Sequence, residues 1–123
     1  LGDAGAWLRR DKARLTAEQA RVDAVAERRA LELDLSEARR QYEDVRRVFA
    51  VAERALRTAE AGQKNARLAW EQGLLPMTTM IEASKALVGA RQHLTRARYG
   101  RVLTELRLRH VAGLPLLPDL AEK

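Results

Sequence analysis

From Leu31 to Trp70 the apolar residues keep a single beat, and that beat leaves few folds open. Leu31, Leu35, Ala38, Tyr42, Val45, Phe49, Ala52, Leu56 and Ala59, then Ala66 and Trp70, recur at alternating intervals of four and three, with Gln63 the one polar interruption. A 3.5-residue repeat held over five heptads reads as a coiled-coil seam with a left-handed supercoil. Nothing in the sequence contradicts a long helix here. The only prolines are Pro76, Pro115 and Pro118, so none interrupts residues 1–75, where a ring would remove a backbone donor and clash with the preceding turn. Ala, Leu, Arg and Glu dominate, aromatics make up 4% and charged residues 33%. That composition supplies narrow helix seams and few large anchors for a thick core.

The beat stops at Gln72-Gly73-Leu74-Leu75-Pro76-Met77-Thr78-Thr79. Gly73 can take positive φ and end a helix, Pro76 breaks what remains, and Thr78 or Thr79 can cap a new one. A second seam follows at Met80, Ala83, Leu87, Ala90, Leu94 and Ala97, weakens at Arg101 and Thr104, and returns at Leu108 and Val111. The short turn makes the two helices antiparallel. The expected fold is therefore all-α: a long antiparallel coiled-coil α-hairpin with unequal arms, elongated, in one segment covering residues 1–123. The first helix is predicted over about 11–72, the tip turn over 73–78, the second helix over 79–112 and a tail over 113–123. Residues before about 11, with Gly2 and Gly5, read as a loop or the end of an element entering the helix. At about 1.5 Å per residue the first arm would reach about 90 Å. Roughly its first twenty-five residues then lack a partner within the hairpin, which marks the chain as a fragment or an assembly subunit. Gly62 and Gly89 stand about equally far from the turn. They could oppose each other and let the arms approach closely, or be unrelated, tolerated glycines.

Net charge is +6, and the charges of both signs are interleaved. Glu43/Arg47, Glu53/Arg57, Glu60/Lys64 and Glu105/Arg109 all have the acid four residues ahead of the base, the favourable order for helix-surface pairs. The pattern reads as a solvated helix face, with no nucleic-acid-binding motif beside it. No apolar run is long enough to span a membrane, so direct membrane insertion by this segment is not expected. There are no cysteines. His93 and His110 are seventeen residues apart and fit no metal-ligand spacing. Ser36 and Ser84 have no His/Asp set nearby, and no glycine-rich phosphate loop exists. Neither a catalytic residue nor a metal or other cofactor is expected.

Composition departs from the pattern only at the turn. Leu74, Leu75, Met77, Met80 and Ile81 gather at a tip that would otherwise face water. They form a docking surface, close the end of the coiled coil over Trp70, or do both. Glu82 also has two readings. With Thr79 as N-cap it stands at N3 and completes a T-x-x-E capping box. In several copies around an axis it would supply a ring of carboxylates at a pore mouth.

These pieces resemble a known family. Arg67-Leu-Ala-Trp70-Glu-Gln-Gly73-Leu74, then Met80-Ile-Glu-Ala83, Leu87, Ala90-Arg91, Leu94, Ala97-Arg98-Tyr99 and Leu103 look like the second repeat of TolC-like outer-membrane channels. Leu106 to Leu114, with Asp119-Leu120, resembles the end of that repeat in type I secretion and efflux members. Gly2 to Ala30 is similar to the stretch where the last barrel strand yields to the long helix. The resemblance implies a trimer with a β-barrel in the outer membrane and an α-helical barrel in the periplasm. The hairpin tips would meet a membrane-fusion (periplasmic adaptor) protein linked to an inner-membrane pump. Carried over by position, Trp70, Gly73, Leu74, Leu75, Met77 and Thr78 form the partner-binding tip, and Thr79 and Glu82 the pore constriction. Glu82 matches a tip acid. Thr79 stands where a second acid is found, and Trp70 replaces the more usual Tyr. The family's first repeat and barrel strands are not in this sequence. Localisation would be the periplasmic portion of a bacterial outer-membrane protein.

Two other readings fit a basic helical hairpin. One is the α-hairpin of a membrane-fusion adaptor, although such hairpins carry an Arg-x3-Leu-x6-Ser tip pattern and here Glu71 stands at the Leu position after Arg67. The other is a free-standing coiled-coil scaffold or a basic nucleic-acid-associated helical protein, which a steep salt dependence of DNA binding would reveal.

Overall fold

A computed structural model describes residues 2–116. Helix α1 covers Gly2–Glu71 and helix α2 covers Met77–Val111, with no strand among the described residues. The chain divides into two units, residues 1–37 and 38–123.

The described part of the first unit is helix from Gly2 onward. This corrects the loop predicted for residues before about 11, and the stretch similar to a strand-to-helix passage contains no strand. Gly5, inside the helix, costs about 1 kcal/mol. Ala4, Ala6, Leu8, Arg9, Arg10, Lys12 and Ala13 are good helix formers, and Asp3 sits in the first turn, where the helix dipole favours an acid. Trp7, Leu8, Leu15, Val22, Leu31 and Leu33 are all exposed.

In the second unit α1 and α2 pack as an antiparallel hairpin, as the sequence predicts. Its driest positions are alanines: Ala38, 1% exposed, with Ala52, Ala66 and Ala97 close behind. Tyr42, Val45, Phe49, Leu56, Ala59 and Gln63 on α1 are half-buried. So are Met80, Ala83, Leu87, Ala90 and Leu94 on α2. Small residues at the driest positions bring two helices close with little side-chain bulk between them, so stability comes from many modest contacts along the seam and not from one core.

Two predicted seam members fall outside this seam. Leu31, in the first unit, is exposed. Trp70, 38% exposed, lies in the last turn before the tip.

The far end of the hairpin shows why α2 weakens at Arg101. There the seam passes through its neighbour: a Cβ on Gly100 would stand 3.9 Å from Val45 Cγ1, an ordinary contact. The Arg101 guanidinium lies over the Phe49 ring instead, 5.0 Å from its centroid, which lets a cation border an apolar seam. Thr104 returns its hydroxyl to the Gly100 carbonyl. Arg107 donates from Nη1 to Gln41 Oε1 at 3.0 Å, tying α2 back to α1.

The glycines near mid-arm do not bring the helices together. A Cβ on Gly62 or Gly89 would meet nothing within 4 Å, so both are tolerated glycines. Of the predicted surface pairs, Glu105–Arg109 forms at 3.1 Å. Arg47 pairs with Asp44, one residue nearer than its predicted partner Glu43, and a further pair, Arg67–Glu71, forms at 3.1 Å.

Candidate functional site at the hairpin tip

The tip is built by the way each helix ends. Gly73 has φ +72°, the left-handed conformation that glycine adopts at no steric cost. The Gly73 N–H donates to the Trp70 carbonyl at 2.9 Å and the Leu74 N–H to the Ala69 carbonyl at 2.8 Å. This pair of bonds is a Schellman cap, which satisfies carbonyls the helix would otherwise leave bare. It turns the chain sharply and commits Leu74 to a fixed outward position. Gly113, at φ +70°, repeats the device at the end of α2. Its N–H bonds the His110 carbonyl, and the Leu114 N–H bonds the Arg109 carbonyl.

The start of α2 differs from the sequence reading. The N-cap is Pro76, extended at φ −68° and ψ 153°, with no side-chain cap bond. Helix begins at Met77, so Thr79 occupies the third helical position and donates its N–H to the Pro76 carbonyl at 3.1 Å. Neither Thr78 nor Thr79 is therefore the cap, and the Thr79/Glu82 capping box does not form. Proline sets the chain at the right φ to enter a helix at once, and water can meet the free N–H groups at an exposed tip.

The predicted tip residues come together around this linker of five residues, 72–76. Leu74 is 71% exposed and Met77 55% exposed, while Thr78, Ile81 and Glu82 also face solvent. Leu75, Thr79 and Met80 are half-buried. The Ser84 hydroxyl fills the space behind Met80, 3.0 Å from its carbonyl oxygen and 3.7 Å from its sulfur. The two proposed roles of the apolar cluster thus divide by residue. Leu75 and Met80 are half-buried at the hairpin end, the burial that a closing role requires, whereas Leu74 and Met77 are left to water. Glu82, clear of any capping role, projects from the second turn of α2.

Two further surfaces of the hairpin did not emerge from the sequence. An open groove of about 980 Å³ runs along one side, walled by Val48, Val51 and Ala55 of α1 and by Ala86, Gly89 and His93 of α2. The outer side of α2 carries exposed Ile81, Val88, Tyr99 and Val102. The signal for the latter was present as Ile81 and Val88, seven apart, and Val102, fourteen further on, off the predicted seam. Among the described residues, no group of His, Cys, Asp or Glu could hold a metal ion, and no helix is long and apolar enough to cross a membrane. The Asp119-Leu120 pair of the tail lies outside the described residues. Compared with known proteins, the chain matches no family model, and no curated protein or solved structure is significantly similar to it.

Proposed function

We propose that this chain is the periplasmic hairpin of a TolC-like outer-membrane export channel, forming part of the conduit wall and its entrance tip. The observation that carries the reading is the tip itself. A Schellman cap at Gly73 and a proline-started helix hold Leu74 and Met77 in water, where an isolated hairpin gains nothing from them. Exposed apolar groups on a fixed turn are what a docking end requires. The order of the Trp70–Leu74 and Ala90–Leu103 segments supplies the family resemblance.

On this reading the partner is the hairpin of a membrane-fusion protein, and Trp70, Gly73, Leu74, Leu75, Met77 and Thr78 form its landing surface. In a trimer, Glu82 contributes one carboxylate per copy to the entrance constriction, with the Thr79 position beside it uncharged. The chain performs no catalysis and needs no cofactor in this role, which is to shape a passage and mate with a pump-linked partner. The test is titration of the protein against the α-hairpin of a membrane-fusion protein. Saturable binding, lost on Leu74→Asp with Met77→Asp while the helical signal stays intact, is the expected result. Absence of binding, with a stable self-associated bundle, would leave a structural coiled coil in place of a channel hairpin.

A further inference from the structure

Helix α2 carries more apolar surface than its seam with α1 uses. Ala83, Leu87, Ala90, Leu94 and Ala97 serve the seam and are half-buried or buried. Ile81, Val88, Thr95 and Val102, at strict seven-residue intervals, are exposed. Tyr99, 69% exposed, and half-buried Leu106, seven apart, lie on the adjoining line that Lys85 and Gln92 begin. The 81, 88, 95, 99, 102, 106 series is a second heptad stripe on the side of the helix facing away from the seam. Thr95 does not break it chemically, since its hydroxyl donates back to the Arg91 carbonyl at 3.0 Å and needs no water. A helix with two seams is built to touch two helices.

The charges beside the middle of this stripe are of one sign, with Glu82 and Glu105 closing the two flanks at its ends. Between Glu82 and Glu105 the sequence has no acidic residue and five cations: Lys85, Arg91, Arg96, Arg98 and Arg101. Arg91 and Arg98 fall on one flank of the stripe and Arg96 on the other, the positions that select a partner in a coiled coil. All three are exposed. Arg101 is engaged with Phe49 and takes no part.

We propose that the outer stripe of α2 docks an α-helix of another protein whose own apolar seam is flanked by Asp or Glu. The proposal goes beyond the tip and does not depend on the channel reading. Charge complementarity sets the occupant: a second copy of α2 laid on the same stripe would oppose arginine to arginine, which is disfavoured. The width of the stripe argues for a helix over a lipid surface. A face that sinks into a bilayer interface needs a broad apolar arc. Here Lys85 and Gln92 lie on the line of the stripe, tolerable in a coiled-coil seam and costly in hydrocarbon.

The experiment compares three binding partners for the whole chain. One is a helical peptide with an isoleucine/leucine seam flanked by Glu. The second is the same peptide flanked by Lys, and the third is phosphatidylglycerol vesicles. Binding to the Glu-flanked peptide should be at least about tenfold tighter than to the Lys-flanked one, and should weaken as salt rises from about 50 mM to about 500 mM. Val88→Asp with Tyr99→Asp, both outside the α1–α2 seam, should abolish it with helical content retained. Should that variant unfold, Arg91→Glu with Arg96→Glu and Arg98→Glu decides the matter, because it should reverse the preference toward the Lys-flanked peptide. Equal binding of the two peptides, no binding to the Glu-flanked one, no reversal in the triple variant, or binding to vesicles alone would each overturn the proposal.

Discussion

Alanine in place of two glycines of α1 and its cap should move stability in opposite directions. A Cβ at either Gly62 or Gly73 meets nothing within 4 Å, so packing is silent at both sites and only the backbone speaks. Gly62 lies inside α1, where alanine is better than glycine by about 1 kcal/mol. Gly73 has φ +72°. Alanine there meets a left-handed penalty of about 1–2 kcal/mol, offset by about 0.4–1 kcal/mol because the unfolded chain loses freedom. Gly62→Ala should therefore stabilise by about 1 kcal/mol and Gly73→Ala destabilise by about 0.5–1 kcal/mol. Thermal unfolding followed by far-UV circular dichroism reads both, and the two melting temperatures should separate by several degrees. Shifts of the same sign would refute the Schellman geometry at Gly73, and with it the fixed outward position of Leu74.

The same physics yields further expectations. Ala97→Leu overfills a position only 8% exposed and should cost about 1–3 kcal/mol in urea unfolding, whereas Ala61→Leu on the exposed side of α1 should change little. Arg101→Ala should cost about 0.5–1 kcal/mol, and a double-mutant cycle with Phe49→Leu should recover most of that as coupling between the two residues. Glu105→Gln removes a solvent-accessible pair on α2 and should cost no more than about 0.5 kcal/mol, an effect that disappears in concentrated salt.

Much of the hairpin could be read from spacing because a heptad is a statement about one helix meeting another. Ala38, Ala52, Ala66 and Ala97 stand on the predicted beat and are the most buried residues in the second unit. The errors came where a local rule competed with another. Gly2 and Gly5 looked like a loop, yet the helix formers around them carry α1 through both. Thr79 and Glu82 matched a capping box, yet the helix is capped at Pro76, three residues before Thr79. Arg101 looked like a weak point because spacing alone does not show that Gly100 can take the inner position while arginine covers Phe49. Gly62 and Gly89 look opposed when counted from the turn, and both stand in open space. The tip was legible as composition, but the division between half-buried Leu75 and exposed Leu74 depends on the rotation of the chain through Gly73. The stripe at Ile81, Val88 and Val102 was overlooked for a simpler reason: a first seam accounts for a helix, and nothing in the count of apolar residues asks for a second.

The most direct test of the export-channel reading is site-specific photo-cross-linking in cells that express the protein with a membrane-fusion protein and its pump. A photoreactive residue is placed at Leu74, at Met77, or at Arg54, an exposed position well away from the tip. The account predicts adducts with the membrane-fusion protein from Leu74 and Met77 and none from Arg54. Adducts of equal strength from all three positions, or none from the tip, would contradict it.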